Sequence, residues 1–87
     1  MKPIIKKPSE QEKTEAQSWP IWEKKVSEFP WQYTEPETCL ILEGDITVIN
    51  EEGDEFHFTK GDYVRFPQGM KCTWKIHKDV IKHYKLG

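Results

Sequence analysis

From Ile21 onward the chain is cut into short apolar stretches by turn-forming residues, and this punctuation constrains the fold more than any other feature. "IWEKKV" is followed by "EFPWQYT", in which Phe29, Trp31 and Tyr33 occupy alternate positions. "TCLILEG" runs to Gly44, with "DITVIN" directly behind it. "EEGD" reads as a hairpin turn, because Gly53 has no Cβ to oppose positive φ. "EFHFT", "YVRF", "KCTWKI" and "DVIKHYKL" complete the series, with "KGD" and "PQGM" as further turns and another expected after His77. Many short strands separated by Gly, Pro and Asp signals predict an all-β sandwich or barrel. There is no internal repeat and no low-complexity linker.

The N-terminal stretch reads differently. "IIKK" at 4–7 is a short strand candidate, and "SEQE" has capping-box spacing, Ser9 with Glu12. At most one short helical turn is expected, over 9–16, and "SWPIW" stops it because proline restricts the residue before it. The 87 residues predict one domain, 1–87, with a strand and turn over 1–18 and a barrel over 19–87. A domain of this size has a limited core, and closing the sheet removes exposed edges. Aromatics make up 13% of residues, four of them Trp. Large rings bury the most apolar area per side chain, so most are expected to build the core.

Thirteen basic and 15 acidic residues leave a formal charge of -2, which gives no reason to expect nucleic acid. Arg65 is the only arginine, which also argues against reading a phosphate backbone. No apolar run approaches the roughly 18 residues of a membrane span. "MKPIIKKPSEQEK" lacks the apolar core of a secretory signal. A cytoplasmic protein without nucleic-acid or membrane partners is expected, with its two cysteines as thiols.

Two segments carry a family resemblance. Glu37-Thr-Cys-Leu-Ile-Leu-Glu43-Gly44 resembles the end of the first cupin motif, and Gly61-Asp-Tyr-Val-Arg-Phe-Pro67-Gln-Gly69-Met-Lys-Cys72 resembles the second. The second motif runs Gly, five residues, Pro, any residue, Gly, two residues, then His, and the spacing here fits without a gap. "WPIWE" at 19–23 and "KHY" at 82–84 resemble the small single-domain cupins (DUF861) grouped with ethanolamine-utilisation and ureidoglycine-aminohydrolase-like proteins. The resemblance implies a jelly-roll barrel with one pocket between its sheets. It places the metal ligands of metal-dependent members at positions 31, 33, 37 and 72. Those positions hold Trp31, Tyr33, Glu37 and Cys72, so the usual three-His, one-Glu set is absent and no cofactor is expected.

The replaced site has its own chemistry. Trp offers only an N–H donor, and Tyr33 ligates a metal only as phenolate, which a pKa of about 10 disfavours. Strand alternation puts Glu37, Cys39 and Ile41 on one face. One reading is a divalent metal held by Glu37, Cys39 and Cys72, although the thiols lack CxxC spacing. A second is buried structural thiols. The third is a metal-free pocket walled by Trp31, Tyr33 and Trp74, with polar contacts from Glu37 and the thiols. A carboxylate among rings is desolvated, which raises its pKa and suits Glu37 for acid–base work. Tyr33 and a Trp N–H are its candidate hydrogen-bond partners.

Other candidates are set by alternation. Lys24 lies between Trp22 and Val26: facing inward, it puts a cation in the pocket near Glu37, whereas a bend after Pro20 leaves it in solvent. Val80, Tyr84 and Leu86 place Tyr84 inward and His83 outward, but Ile81 argues the reverse, so His83 stays a pocket candidate. His57 and His77 are expected outside. If both cysteines point into a narrow barrel, a Cys39–Cys72 bridge is open to them.

The expected function is binding of a small polar metabolite, sugar- or amine-like, stacked on Trp31 and Trp74 and oriented by Glu37. The alternatives are a small isomerase or aminohydrolase with Glu37 as general acid–base, and a structural or interaction protein. The resemblance also allows a homodimer through sheet faces.

Overall fold

Nearly every turn signal in the sequence stands between two strands of the computed structural model, which describes all 87 residues. The elements are β1 (Ile4–Lys6), α1 (Glu10–Ala16), β2 (Ile21–Lys24), β3 (Ser27–Gln32), β4 (Glu37–Asn50), β5 (Glu55–Thr59), β6 (Tyr63–Phe66) and β7 (Lys71–Leu86). Two expected breaks are absent. β4 runs through Gly44, and β7 runs through His77 with no turn. The polar run His77-Lys78-Asp79 is exposed strand instead. No helix is long and apolar enough to cross a membrane.

The two long strands carry the architecture. All strand pairs are antiparallel, and the sheet order is β1-β6-β4-β7-β2. The later part of β4 pairs with β5, and the early part of β7 pairs with β3. Each long strand therefore belongs to two half-sheets. The β4–β7 ladder shifts register three times between Ile41 and Ile46, around Gly44. There the backbone has φ +134°, and an added Cβ would lie 2.9 Å from Val80 Cγ2 and 3.3 Å from Val80 Cα. Only glycine permits both that dihedral and that approach. Beyond this point the half-sheets face each other: Phe58 of β5 packs on Phe66 of β6 with ring centroids 6.0 Å apart. The result is the all-β cupin barrel expected from the motifs.

Trp74 sits at the centre of the core, with the rings of Trp22, Phe29, Phe58 and Phe66 all within 6.0 Å of it, centroid to centroid. Such ring pairs contribute about 0.5–1.5 kcal/mol each beyond burial. The first half-sheet is covered on its outer face as well. Thr38, Leu40 and His83 are buried there, and α1 lies over β4 and β7 with Ala16 fully buried. Ser9 caps α1: its Oγ accepts from the Glu12 N–H at 3.1 Å, and Glu12 Oε1 accepts from the Ser9 N–H at 2.9 Å. β1 pairs with β6, Ile5 opposite Val64, which joins the N-terminal strand to the sheet.

Candidate functional site

Two inward positions on neighbouring strands set the site. Glu37 opens β4, and Lys82 on β7 stands opposite Ile41, four residues further along β4. The lysine stem lies along the sheet and brings Nζ to 2.7 Å from Glu37 Oε2. Trp22 is the register partner of Lys82 on the other side, from β2. Nζ lies 4.7 Å from the Trp22 ring centroid and 4.8 Å from that of Trp74, which reaches across from the facing half-sheet. The Lys82 and Glu37 side chains are 7% and 9% exposed. Two buried charges are costly unless paired. Here each has the other, and the cation has two ring faces besides.

The pair forms the polar end of a cavity of about 250 Å³. Its apolar wall comes from Trp22, Phe29, Trp31, Tyr33 and Trp74, completed by Tyr84 and Leu86 near the C-terminus. Trp31 and Leu86 are half exposed, so they form the rim. Tyr33 is buried, stacked on Phe66 with centroids 4.5 Å apart, and its hydroxyl accepts from Trp74 Nε1–H at 3.0 Å. Burial first, and then the neighbouring Glu37 charge, push Tyr33 far above the usual phenol range, so it stays a phenol.

Several expectations need correction. Tyr33 and the Trp N–H bond each other, not Glu37; Lys82 is the partner of the carboxylate. Cys39 shares the face of Glu37 but lies fully buried in the core, outside the cavity. Burial pushes its thiol up to about 12, with the Lys82 charge opposing. Cys72 stands opposite Trp31 in the ladder, yet it too belongs to the core cluster and does not line the cavity. Burial pushes Cys72 up to about 11. Both cysteines are free, with no bridge between them.

The set Glu37, Cys39 and Cys72 does not assemble: no three His, Cys, Asp or Glu side chains are placed to hold a metal ion. A metal at Glu37 would have to displace the ammonium of Lys82 from the only acidic group lining the cavity. The residues present do not fit a metal centre.

Lys24 is also outside. β2 ends with it, Val26 is exposed, and Nζ of Lys24 rests 5.1 Å from the Phe29 ring centroid at the surface. His83 pairs with Leu40 on the opposite face of the sheet, where its Nδ1 lies 2.9 Å from the Trp19 carbonyl oxygen. It holds the entry into β2 and does not reach the cavity. His57 and His77 are exposed as expected, hydrogen-bonded to Asp45 and Thr47. Of the nine candidate residues, Trp22, Trp31, Tyr33, Glu37 and Trp74 share the cavity, while Lys24, Cys39, Cys72 and His83 do not.

Lys82 was the residue sequence reasoning missed. Its signal was period two: Val80, Lys82, Tyr84 and Leu86 occupy alternate positions, so a lysine sits in an otherwise apolar inward row.

A β-barrel whose cavity is lined by three of the four motif positions, Trp31, Tyr33 and Glu37, with Lys82 beside the carboxylate, defines a cupin. The chain belongs to the EutQ-like cupin domain family, which matches residues 11–84. Among solved structures it is similar to a DUF861 family protein from Thermotoga maritima, 46% identical over 99% of this chain and 100% of that one, with a TM-score of 0.95. It also resembles a DUF861 family protein from Pseudomonas syringae, 25% identical over 77% of this chain and 29% of that one, TM-score 0.70. The ethanolamine utilization protein Q of Salmonella typhimurium shares the fold at 24% identity, covering 76% of this chain and 53% of that one, TM-score 0.69. The chain thus spans about half the length of that protein. No curated protein matches it in sequence.

Proposed function

We propose that this cupin binds a small polar metabolite, sugar- or amine-like, in its ring-lined cavity without a metal. The observation that carries this reading is the buried Glu37–Lys82 pair at the end of a cavity whose rim residue, Trp31, is half exposed. A buried ion pair is a poor device for stability, since apolar residues of the same volume serve as well or better. Placed inside an accessible cavity, the pair has a use: it orients polar groups while the rings supply contact area. The C–H face of a sugar stacks on the half-exposed Trp31, with Trp74 as the buried floor of the cavity, and its hydroxyls bond the carboxylate and the ammonium. An amine competes for Glu37 and for the ring faces that Lys82 now occupies. The buried free thiols suit a reducing compartment, so the protein acts in the cytoplasm.

A second reading has its own support. The 2.7 Å hydrogen bond between Lys82 and Glu37 is a ready path for a proton, which suits Glu37 as general acid–base in an isomerase or aminohydrolase.

A melting-temperature screen of sugars and small amines tests both. A ligand at about a hundred times its Kd is expected to raise the midpoint by roughly 10–20 °C, and Trp31→Ala to reduce that rise. Binding kept in Glu37→Gln with turnover lost would favour the enzyme. No shift with any ligand would remove the pocket reading and leave a scaffold or interaction protein.

A further inference from the structure

Lys82 is the only buried lysine of the chain, and it lines the cavity. The other lysines are strongly hydrated ammonium groups at the surface or partly exposed there. Beside Nζ lies a single acceptor able to take its proton, Glu37 Oε2, at 2.7 Å. Around it stand two indole faces at 4.7 and 4.8 Å. We propose that Lys82 is a carbonyl-reactive amine, which condenses with a small aldehyde or ketone in the cavity to form a Schiff base, with Glu37 carrying the proton. The proposal rests on the reading of the cavity as a ligand site, and it names carbonyl compounds as the substrate class.

The chemistry balances with the groups present. The ammonium of Lys82 gives one proton to Glu37 and so exposes the nitrogen lone pair. Nζ attacks the carbonyl carbon: the N–C bond forms, and the carbonyl π pair moves to oxygen, which takes up a proton from nitrogen. The Glu37 carboxyl then protonates the departing hydroxyl, which leaves as water while the C=N bond forms. One carbonyl compound is consumed and one water released. Glu37 returns to carboxylate, and the protonated Schiff base carries the single positive charge that the ammonium carried before.

The positive charge stays between Trp22 and Trp74 and beside Glu37, so one set of contacts serves both the free lysine and its adduct. The ring wall limits water at the new C=N bond and so slows its hydrolysis. Trp31, half exposed at the rim, leaves a path for the carbonyl compound to enter.

The test is reductive trapping of the folded protein with glyceraldehyde and cyanoborohydride, read by peptide mass mapping. Lys82 is expected to be modified about tenfold or more faster than the exposed Lys24 and Lys25, as a paired proton acceptor provides. Glu37→Gln is expected to slow Lys82 while Lys24 and Lys25 keep their rates, and urea is expected to erase the preference. Lys82 reacting no faster than Lys24 and Lys25 in the folded wild type would overturn the proposal. A parallel melting test with methyl glucoside, which has no free carbonyl, separates the two readings. If it raises the melting point while Lys82 is not preferred, the Schiff base fails and the pocket stands. If neither effect is seen, both fail.

Discussion

Lys82 Nζ and Glu37 Oε2 lie 2.7 Å apart inside the barrel, each side chain less than a tenth exposed, on residues four ladder positions out of step. The contact ties β7 to the start of β4 and gives an apolar cavity its only charges.

Removing either partner strands the other. Glu37→Leu and Lys82→Met are each expected to lower stability by about 3–5 kcal/mol, a large share of the total for a domain this small. The double variant is expected to recover most of the loss, because two apolar side chains leave no buried charge. Urea unfolding of the four proteins measures this. Additive losses would show that the two side chains do not act as a pair.

Gly44 marks the fold of the sheet. Gly44→Ala is expected to cost about 2–4 kcal/mol, from the positive φ together with the 2.9 Å approach to Val80 Cγ2. Gly53 also has positive φ but nothing within 4 Å of an added Cβ, so Gly53→Ala is expected to cost only about 1–2 kcal/mol. Equal costs for the two variants would contradict the packing argument.

Stability is expected to form a plateau against pH. Hydrogen bonding to His57 lowers Asp45; for Asp62, burial is outweighed by bonds from Lys7 and the Thr59 N–H. Carboxyls lowered in the fold bind fewer protons there than in the unfolded chain. Their contribution is present above their ordinary 3.8 and fades as pH falls through the folded values. Cys39, Cys72 and Tyr33 are raised by burial, the thiols from 9.0 to about 12 and about 11. Their contribution is whole below 9.0 and fades as pH rises towards those values, since the unfolded chain then loses protons that the fold keeps. Urea midpoints across pH are expected to fall on both sides; a flat alkaline limb would contradict the burial of these groups.

The thiols are expected to be inert. At pH 8 both stay protonated, and the thiolate is the reactive form. Dithionitrobenzoate is expected to label the native protein far more slowly than the urea-unfolded chain, with Cys39 slower than Cys72 because it is fully buried. Native labelling as fast as in urea would place the cysteines at the surface.

The strands were legible wherever glycine or proline cut the chain, and the Ser9–Glu12 cap and the cupin motif spacing led to the right architecture. Side-chain parity was less informative. Alternation told that Cys39 shares a face with Glu37, but not how deep along the barrel the cavity reaches, and Cys39 lies beyond it. His77-Lys78-Asp79 looked like a turn because three polar residues in a row suit one; in a strand with a shifted ladder they face solvent instead. Lys82 was hidden for a related reason. Ile81 beside it blurred the period, and a lysine in a row of apolar residues reads as a surface residue until its carboxylate partner, 45 positions away, is brought to it by the fold.

A crystal structure of the protein as purified, followed by soaks with the ligands that raise its melting point, reads the occupant of the cavity directly. A small molecule is expected in the cavity, against the Trp31 ring and within hydrogen-bond reach of Glu37 or Lys82. A cavity holding only ordered water, before and after the soaks, would contradict it.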